Sequence, residues 1–200
     1  MAMPYEKFTI LESSCVPLEI ENVDTDQIIP ARFLKATERK DFDKNLFRDW
    51  RYNQQNKLVK DFVLNDGKYS GKILVAGKNF GSGSSREHAV WAIYDYGFRC
   101  VISSFFADIF KNNCLNIGVL PVQISAQFLQ LIFDSIKNKP KIKLKVNLIE
   151  QEVSIFGIPQ KEKFEINPYK KGNMINGFDD IDYLLSMKSE IKNFANKRPF

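Results

Sequence analysis

Residues 72–97 read KILVAGKNFGSGSSREHAVWAIYDYG, and the order of signals in this stretch decides the fold class. The stretch opens with a compact apolar run at residues 72–76, which predicts a buried strand. A loop rich in glycine and serine follows at residues 77–83. The apolar residues after the loop cover nearly the whole circumference of a helix, so this helix is expected to be buried on most sides.

Local signals mark both ends of the predicted helix. Ser84 or Gly83 is expected to cap its start, because Glu87 lies three residues after Ser84, which is the spacing of a capping box. Gly97 suits the left-handed residue with which many helices end. The stretch therefore predicts a core strand that leads through a tight loop into a buried helix.

The next part of the chain repeats this pattern. Residues 100–102 predict a second core strand and residues 107–114 a second helix. Right-handed crossovers would place both strands in one mainly parallel sheet, so the fold class is α/β with flanking helices. Four further elements are predicted: short strands within residues 8–20, a helix at 126–136, a hairpin at 142–156 and a last helix after 180.

Length and composition agree with one globular domain over residues 1–200. The chain has a mass of 23.2 kDa and 44% hydrophobic residues, enough to bury one core. No window approaches the ~18 to 20 uninterrupted apolar residues of a membrane span. Glu6, Lys7 and Glu12 lie where a signal peptide would be apolar, so we expect a cytoplasmic protein that does not contact membranes.

One segment interrupts the regular pattern. Residues 37–64 are charged and aromatic, and Phe42, Leu46, Phe47 and Trp50 have the spacing of one face of a short helix. We expect this segment to be a mobile or partner-facing excursion from the domain.

The charge of the chain argues against a nucleic-acid partner. The formal net charge is +5 and the pI is near 9.0, but the basic residues are scattered among acidic ones. Lys141, Lys143 and Lys145 alternate with apolar residues, which is typical of a strand with one solvated face. We therefore expect no nucleic-acid binding.

The three cysteines do not predict a metal site. Cys15, Cys100 and Cys114 lie far apart in sequence, whereas cluster ligands usually include a close pair. Buried thiols are the favoured interpretation, so no cofactor and no metal are expected on this chain.

Residues 79–88, NFGSGSSREH, combine most of the chemistry of the chain. A helix N-terminus after a glycine-rich loop favours an anion, and Arg86 adds a guanidinium suited to a carboxylate or phosphate. The order of residues in this stretch does not match the dinucleotide-binding pattern, the P-loop or the nucleophile elbow of hydrolases. His88 is the single histidine of the sequence that a catalytic triad could use. The residues predict a site for a small acidic ligand, with a purely structural helix start as the alternative.

Two motifs resemble the aconitase-type hydro-lyases. Residues 83–89, GSSREHA, resemble one signature of their small domain, and residues 22–30, NVDTDQIIP, resemble a second signature in the right order. Four further stretches are similar to bacterial isopropylmalate isomerase small subunits in particular: LFRDWR at 46–51, DFVLN at 61–65, DYGF at 95–98 and FADIF at 106–110. The similarity extends over essentially the whole chain.

This resemblance implies a swivelling β/β/α domain, like the C-terminal domain of aconitase, and a partner. The implied partner is the large subunit of 3-isopropylmalate dehydratase, expected to carry a 4Fe-4S cluster, and we expect the enzyme to be active only with that subunit. The reaction that the resemblance implies removes water from 2-isopropylmalate, a small dicarboxylate substrate of leucine biosynthesis, and adds it back at the neighbouring carbon. Such chemistry needs a Lewis acid, a base and cations for the carboxylates.

The resemblance also implies roles for individual residues. Ser84 matches the catalytic base, and Ser85 and Arg86 match substrate-binding positions. Thr25 and Asp26 match the Thr-Asp of the second signature and are expected to support the active site. A turn held by side-chain hydrogen bonds is a compatible interpretation of these two residues.

The segment after the second signature is where family members differ in substrate. Arg32, Phe33, Leu34 and Lys35 form the expected substrate-specificity loop, and Phe33 and Leu34 would suit an isopropyl group. Two alternatives stay open on the sequence: a subunit of a related hydro-lyase for citramalate-like, maleate or homoaconitate substrates, and an RNA-binding module.

Overall fold

A computed structural model describes residues 5–34 and 42–196, and within these ranges seven strands form one mixed sheet. Their order across the sheet is β4-β3-β2-β1-β5-β6-β7. The strands are β1 (Ile10–Leu18), β2 (Ile73–Ala76), β3 (Cys100–Ser103), β4 (Leu120–Gln123), β5 (Lys143–Asn147), β6 (Glu152–Ile155) and β7 (Lys161–Lys163).

Strand β1 joins a parallel and an antiparallel half of the sheet. Its residues 15–18 pair in parallel with β2, and β3 and β4 continue the parallel half. Its residues 10–14 pair with β5 in the antiparallel sense, and β6 and β7 follow. The predicted parallel core and C-terminal hairpin are therefore confirmed, while the short strands expected within 8–20 are one strand of nine residues.

Helices cover both faces of the parallel half. Helices α4 and α5 pack on one face and α6 on the other, and none of the helices in the described residues is long and apolar enough to cross a membrane. The helices are α1 (Thr25–Ile28), α2 (Phe42–Asn45), α3 (Arg48–Arg51), α4 (Glu87–Tyr96), α5 (Asp108–Ile117), α6 (Ala126–Asn138), α7 (Pro168–Asn176), α8 (Asp180–Ser186) and α9 (Lys188–Asn196), with a 3-10 turn at Ala31–Phe33.

Burial on both faces explains the unbroken apolar run of β2. Ile73 and Val75 belong to the core beneath α6, whereas Leu74 and Ala76 belong to the core beneath α4 and α5. Because both faces of a parallel strand are covered, every position must be apolar. The position of the glycine-rich loop follows, since it leaves the sheet where β2 ends.

The start of α4 differs from the prediction. Arg86 is the N-cap and makes no side-chain capping bond, so the expected capping box of Ser84 and Glu87 is wrong. Gly83 has a left-handed φ of 88°, and the Ser84 carbonyl accepts a hydrogen bond from the Thr25 hydroxyl, so the chain enters the helix later. The predicted C-terminal residue, Gly97, is confirmed with a φ of 110°.

The short helix expected within residues 37–64 is two helices, α2 and α3. Phe47 between them has a left-handed φ of 48°, and its N–H donates to the Ile28 carbonyl at 2.8 Å, which draws the chain out of a helical path. Phe42, Leu46 and Phe47 are buried against the domain. Residues 37–41 lie outside the described residues, and the mobile or partner-facing character of the segment stays a prediction.

A substitution of Gly77 would test how closely the chain segments after β1 and β2 approach each other. A Cβ atom there would lie 2.3 Å from the Ile20 carbonyl oxygen, a backbone atom that has little freedom to move. We expect Gly77→Ala to lower the free energy of unfolding by about 1–3 kcal/mol, measured by urea denaturation. Gly67→Ala is the control, because a Cβ at Gly67 meets no atom within 4 Å. Equal stabilities of the two variants would contradict this close approach.

Candidate functional site

Three loops meet at the edge of the sheet where the parallel strands end. One follows β1 and leads to α1, one follows β2 and leads to α4, and one follows β3 and leads to α5. In open α/β sheets, ligands bind at the carboxyl ends of the strands. The two sequence signatures occupy the first two of these loops.

Backbone pairing joins the loops after β1 and β2. The Asn22 N–H donates to the Lys78 carbonyl at 2.8 Å, and the Thr25 N–H donates to the Ser82 carbonyl at 2.9 Å. The Asn79 amide donates to the Asn22 side-chain oxygen at 2.9 Å. Both asparagines have left-handed φ angles, near 56° and 62°, which asparagine tolerates better than most residues.

The loop after β3 pairs with the other side of the central loop. The Phe80 N–H donates to the Phe105 carbonyl at 3.1 Å, and the Ala107 N–H donates to the Phe80 carbonyl at 3.3 Å. A Cβ atom at Gly81 would lie 2.1 Å from the Phe110 ring, so the absence of a side chain at Gly81 lets α5 approach the loop. All three loops are thereby held in one arrangement.

A cavity of about 270 Å³ lies between the central loop and α5. The N-termini of α4 and α5 both lie at this cavity, and neither has a side-chain cap. The first N–H groups of a helix have no partner within the helix, so both ends favour an anion. The lining residues are Thr25, Gly81, Gly83, Ser84, Ser85, Arg86, Ala107, Asp108, Ile109, Phe110 and Asn113.

Ser84 and Ser85 are exposed in this lining. Thr25 is 2% exposed, and its hydroxyl donates to the Ser84 carbonyl at 2.9 Å. This bond holds the Ser84 backbone through its carbonyl and does not involve the Ser84 side chain. The structure therefore brings together Thr25, Ser84, Ser85 and Arg86, which the sequence predicted as site residues.

Arg86 and Asp26 form a bidentate ion pair between the two signatures. The Arg86 Nη2 lies 2.7 Å from the Asp26 Oδ2, and Nη1 contacts Oδ1. The Arg86 side chain is 14% exposed and the Asp26 side chain 55%. The hydrogen bonds and charge of Arg86 hold the pKa of Asp26 below its usual value. Asp26 thus orients the guanidinium at the cavity, although it is not itself among the lining residues.

Of the expected specificity loop, Arg32, Phe33 and Leu34 are not among the residues that line the cavity. Arg32 makes a bidentate ion pair with Asp49, including a 2.9 Å bond from Nη1 to Oδ2, and this lowers the pKa of Asp49. Phe33 and Leu34 are partly buried against the core beneath α4 and α5. Lys35 lies outside the described residues. The role of residues 32–35 in substrate choice stays a prediction.

The sequence did not predict that α5 forms one wall of the cavity. Asp108, Ile109 and Asn113 line the cavity, yet the sequence assigned them no role. A signal was present, because residues 106–110 follow a core strand just as the glycine-rich loop does, and parallel strands end at one edge.

The arrangement of the cysteines does not suit a metal cluster. Cys15 and Cys100 lie in the core beneath α6 and Cys114 in the core on the opposite face, so the three thiols do not converge on one point. Burial raises the pKa of all three thiols, which disfavours the thiolates that iron requires. In the described part of the chain, no group of three or more His, Cys, Asp or Glu residues is placed to hold a metal ion.

Comparison with known proteins decides the family. Residues 5–127 match the model of the aconitase C-terminal domain. A 3-isopropylmalate dehydratase small subunit from Cytophaga hutchinsonii is 62% identical over 187 residues, which cover 94% of this chain and 93% of that protein. The small subunit from Azobacteroides pseudotrichonymphae is 58% identical over 190 residues, covering 94% and 96%. The chain belongs to the 3-isopropylmalate dehydratase small subunits.

A solved structure of the family agrees with the fold. The crystal structure of 3-isopropylmalate dehydratase from Methanocaldococcus jannaschii superposes with a TM-score of 0.66 at 26% identity, covering 92% of this chain and 98% of that one. The expected aconitase C-terminal-domain fold is therefore confirmed. In this small subunit, the parallel half of the sheet carries the three loops of the site.

The ion pair of Arg86 and Asp26 predicts a specific titration. A carboxyl whose pKa is depressed in the folded state keeps its pair at neutral pH and loses it as the pH falls through that lowered pKa. In Arg86→Gln, we expect the pKa of Asp26 to rise toward the ordinary value of about 3.9, measured by NMR of the carboxyl carbons. Asp49 is the internal control, since its partner Arg32 is intact. A shift at Asp49, or none at Asp26, would refute the assignment.

Proposed function

We propose that this chain is the small subunit of a 3-isopropylmalate dehydratase that interconverts 2-isopropylmalate and 3-isopropylmalate by dehydration and rehydration. The observation that carries the proposal is that the exposed residue Ser84 lines the cavity together with Arg86, where the uncapped N-termini of α4 and α5 also lie. The names of two relatives, 62% and 58% identical over nearly their full length, support the same activity. A basic surface for RNA has no comparable support.

Ser84 acts as the base in this proposal. It takes the proton from the substrate carbon next to the one that loses hydroxide, and it returns the proton in the reverse direction. A serine hydroxyl is too weakly acidic in water to do this. The positive ends of two helices, the guanidinium of Arg86 and closure of the site against solvent all favour the alkoxide.

Ser85 and Arg86 bind the substrate carboxylates. A guanidinium has five N–H donors, so Arg86 can donate to a substrate carboxylate while Nη1 and Nη2 also bond to Asp26, which holds the guanidinium in position and takes up part of its charge. The Thr25 hydroxyl donates a hydrogen bond to the Ser84 carbonyl and so holds the Ser84 backbone in place. Arg86 is the one basic side chain among the described lining residues, so a second carboxylate needs cations from elsewhere.

A large subunit supplies these missing parts. Departure of hydroxide needs a Lewis acid, which a 4Fe-4S cluster provides when bound. The three thiols of this chain do not fit such a cluster, so we assign the cluster and the remaining carboxylate-binding cations to the large subunit. The cavity edge with Ser84 then faces that partner.

Partner dependence tests the proposal directly. The chain purified with its large subunit and assayed anaerobically should form the alkene from 2-isopropylmalate, while either subunit alone should form none because each holds half of the site. Alkene formation is followed by its ultraviolet absorbance. Turnover by the isolated chain, or none by the intact complex, would refute the proposed function.

The role of Ser84 predicts a large and local effect. In the reconstituted complex, Ser84→Ala should lower kcat by about 10²- to 10⁴-fold, because the proton acceptor is lost. The affinity between the subunits should stay unchanged, as measured by titration calorimetry. Ser82→Ala is the matched control, since Ser82 lies two residues away and is not among the lining residues. A near-normal rate for Ser84→Ala would remove Ser84 from the mechanism.

A further inference from the structure

The two walls of the cavity differ in chemistry. Thr25, Ser84, Ser85 and Arg86 form a polar wall from the two signature loops. The other wall comes from the loop after β3 and from α5, and it combines the polar residues Asp108 and Asn113 with an apolar part that consists of Ala107, Ile109 and Phe110. A bound molecule with a carboxylate at one end and a hydrocarbon group at the other suits this division.

Ile109 is the apolar side chain that this wall presents most openly. It is 54% exposed, whereas the neighbouring Phe110 is 2% exposed. Among the described lining residues, Ile109 is the one aliphatic hydrocarbon side chain larger than alanine. Single exposed apolar side chains are common on protein surfaces, but Ile109 lines this cavity, so a ligand that covers it would gain from the removal of apolar surface from water.

The position of Ile109 is fixed by its neighbour. The Phe110 ring packs edge-on against Phe80 at 5.3 Å and occupies the space that a side chain at Gly81 would fill. Phe80 is fully buried and belongs to the same loop as Ser84. The first turn of α5, and Ile109 with it, is therefore held at a set distance from the catalytic loop, as discrimination between substrates requires.

We propose that Ile109 contacts the branched alkyl group of the substrate and favours isopropyl over methyl at this site. This inference rests on the proposed function and adds a residue to it. In the expected specificity loop, Arg32 is paired with Asp49, and Phe33 and Leu34 pack against the core. Ile109 would contribute to recognition of the alkyl group from a separate position, on α5. A branched alkyl group that covers Ile109 removes apolar surface from water on both molecules.

The test compares two ligands in the reconstituted complex of Ile109→Ala. We measure kcat/KM for 2-isopropylmalate and the inhibition constant of 2-methylmalate, which has the same carboxylates and a shorter alkyl group. We expect kcat/KM for 2-isopropylmalate to fall at least about tenfold, because a lost hydrocarbon contact in a pocket has this effect. The inhibition constant of 2-methylmalate should change less than about twofold.

Two further variants sharpen the result. Ile109→Val removes one methylene and should give a smaller change in the same direction, and it decides the question if Ile109→Ala does not assemble. Ile149→Ala is the matched control, because Ile149 is 50% exposed and lies in the turn between β5 and β6, away from the lining residues. It should leave both constants unchanged.

The outcomes separate this inference from the proposed function. If the wild-type complex does not convert 2-isopropylmalate, the proposed function fails. If it does, and Ile109→Ala changes kcat/KM for 2-isopropylmalate and the inhibition constant of 2-methylmalate by the same factor, or changes neither constant, the alkyl contact is refuted. Weaker binding of the large subunit with unchanged discrimination also refutes it, since Ile109 would then be an interface residue.

Discussion

The pairing of one loop with both of its neighbours is the constraint on which the site depends. Residues 77–86 leave β2 at the centre of the parallel half and bond to the loop after β1 on one side and to the loop after β3 on the other. These bonds are between backbone atoms, so they determine chain paths whatever the nearby side chains are. The serines are thereby exposed to a cavity on a rigid edge of the sheet.

Charge at this edge is balanced within the chain. The guanidinium of Arg86 is paired with Asp26, and Asp108 adds a negative charge among the lining residues. The N-termini of α4 and α5 favour an anion, although each helix also carries an acidic side chain in its first turn, Glu87 and Asp108 respectively. A surface of this kind binds a dicarboxylate weakly by itself, which agrees with a site divided between two polypeptides.

The sequence predicted the elements that local signals determine. The apolar run of β2, the helix that ends at Gly97 and the hairpin of β5 and β6 all follow from periodicity and turn residues. The late start of α4 and the break at Phe47 did not, because bonds to residues distant in sequence, Thr25 and Ile28, decide them. The motifs predicted Ser84 and Arg86 as site residues because these residues lie within one local stretch of sequence. The contribution of Ile109 to the cavity could not be predicted in this way, because it depends on how α5 packs against the glycine-rich loop.

The enclosed cysteines give the molecule a practical property. Cys15, Cys100 and Cys114 account for every cysteine of the sequence, and each is 0% exposed in the folded chain. A cysteine engineered onto the surface would therefore be the sole thiol open to a maleimide dye or a crosslinker, with no need to remove the native ones. Fluorescent or photoreactive probes around the cavity rim could then report how the two subunits approach each other.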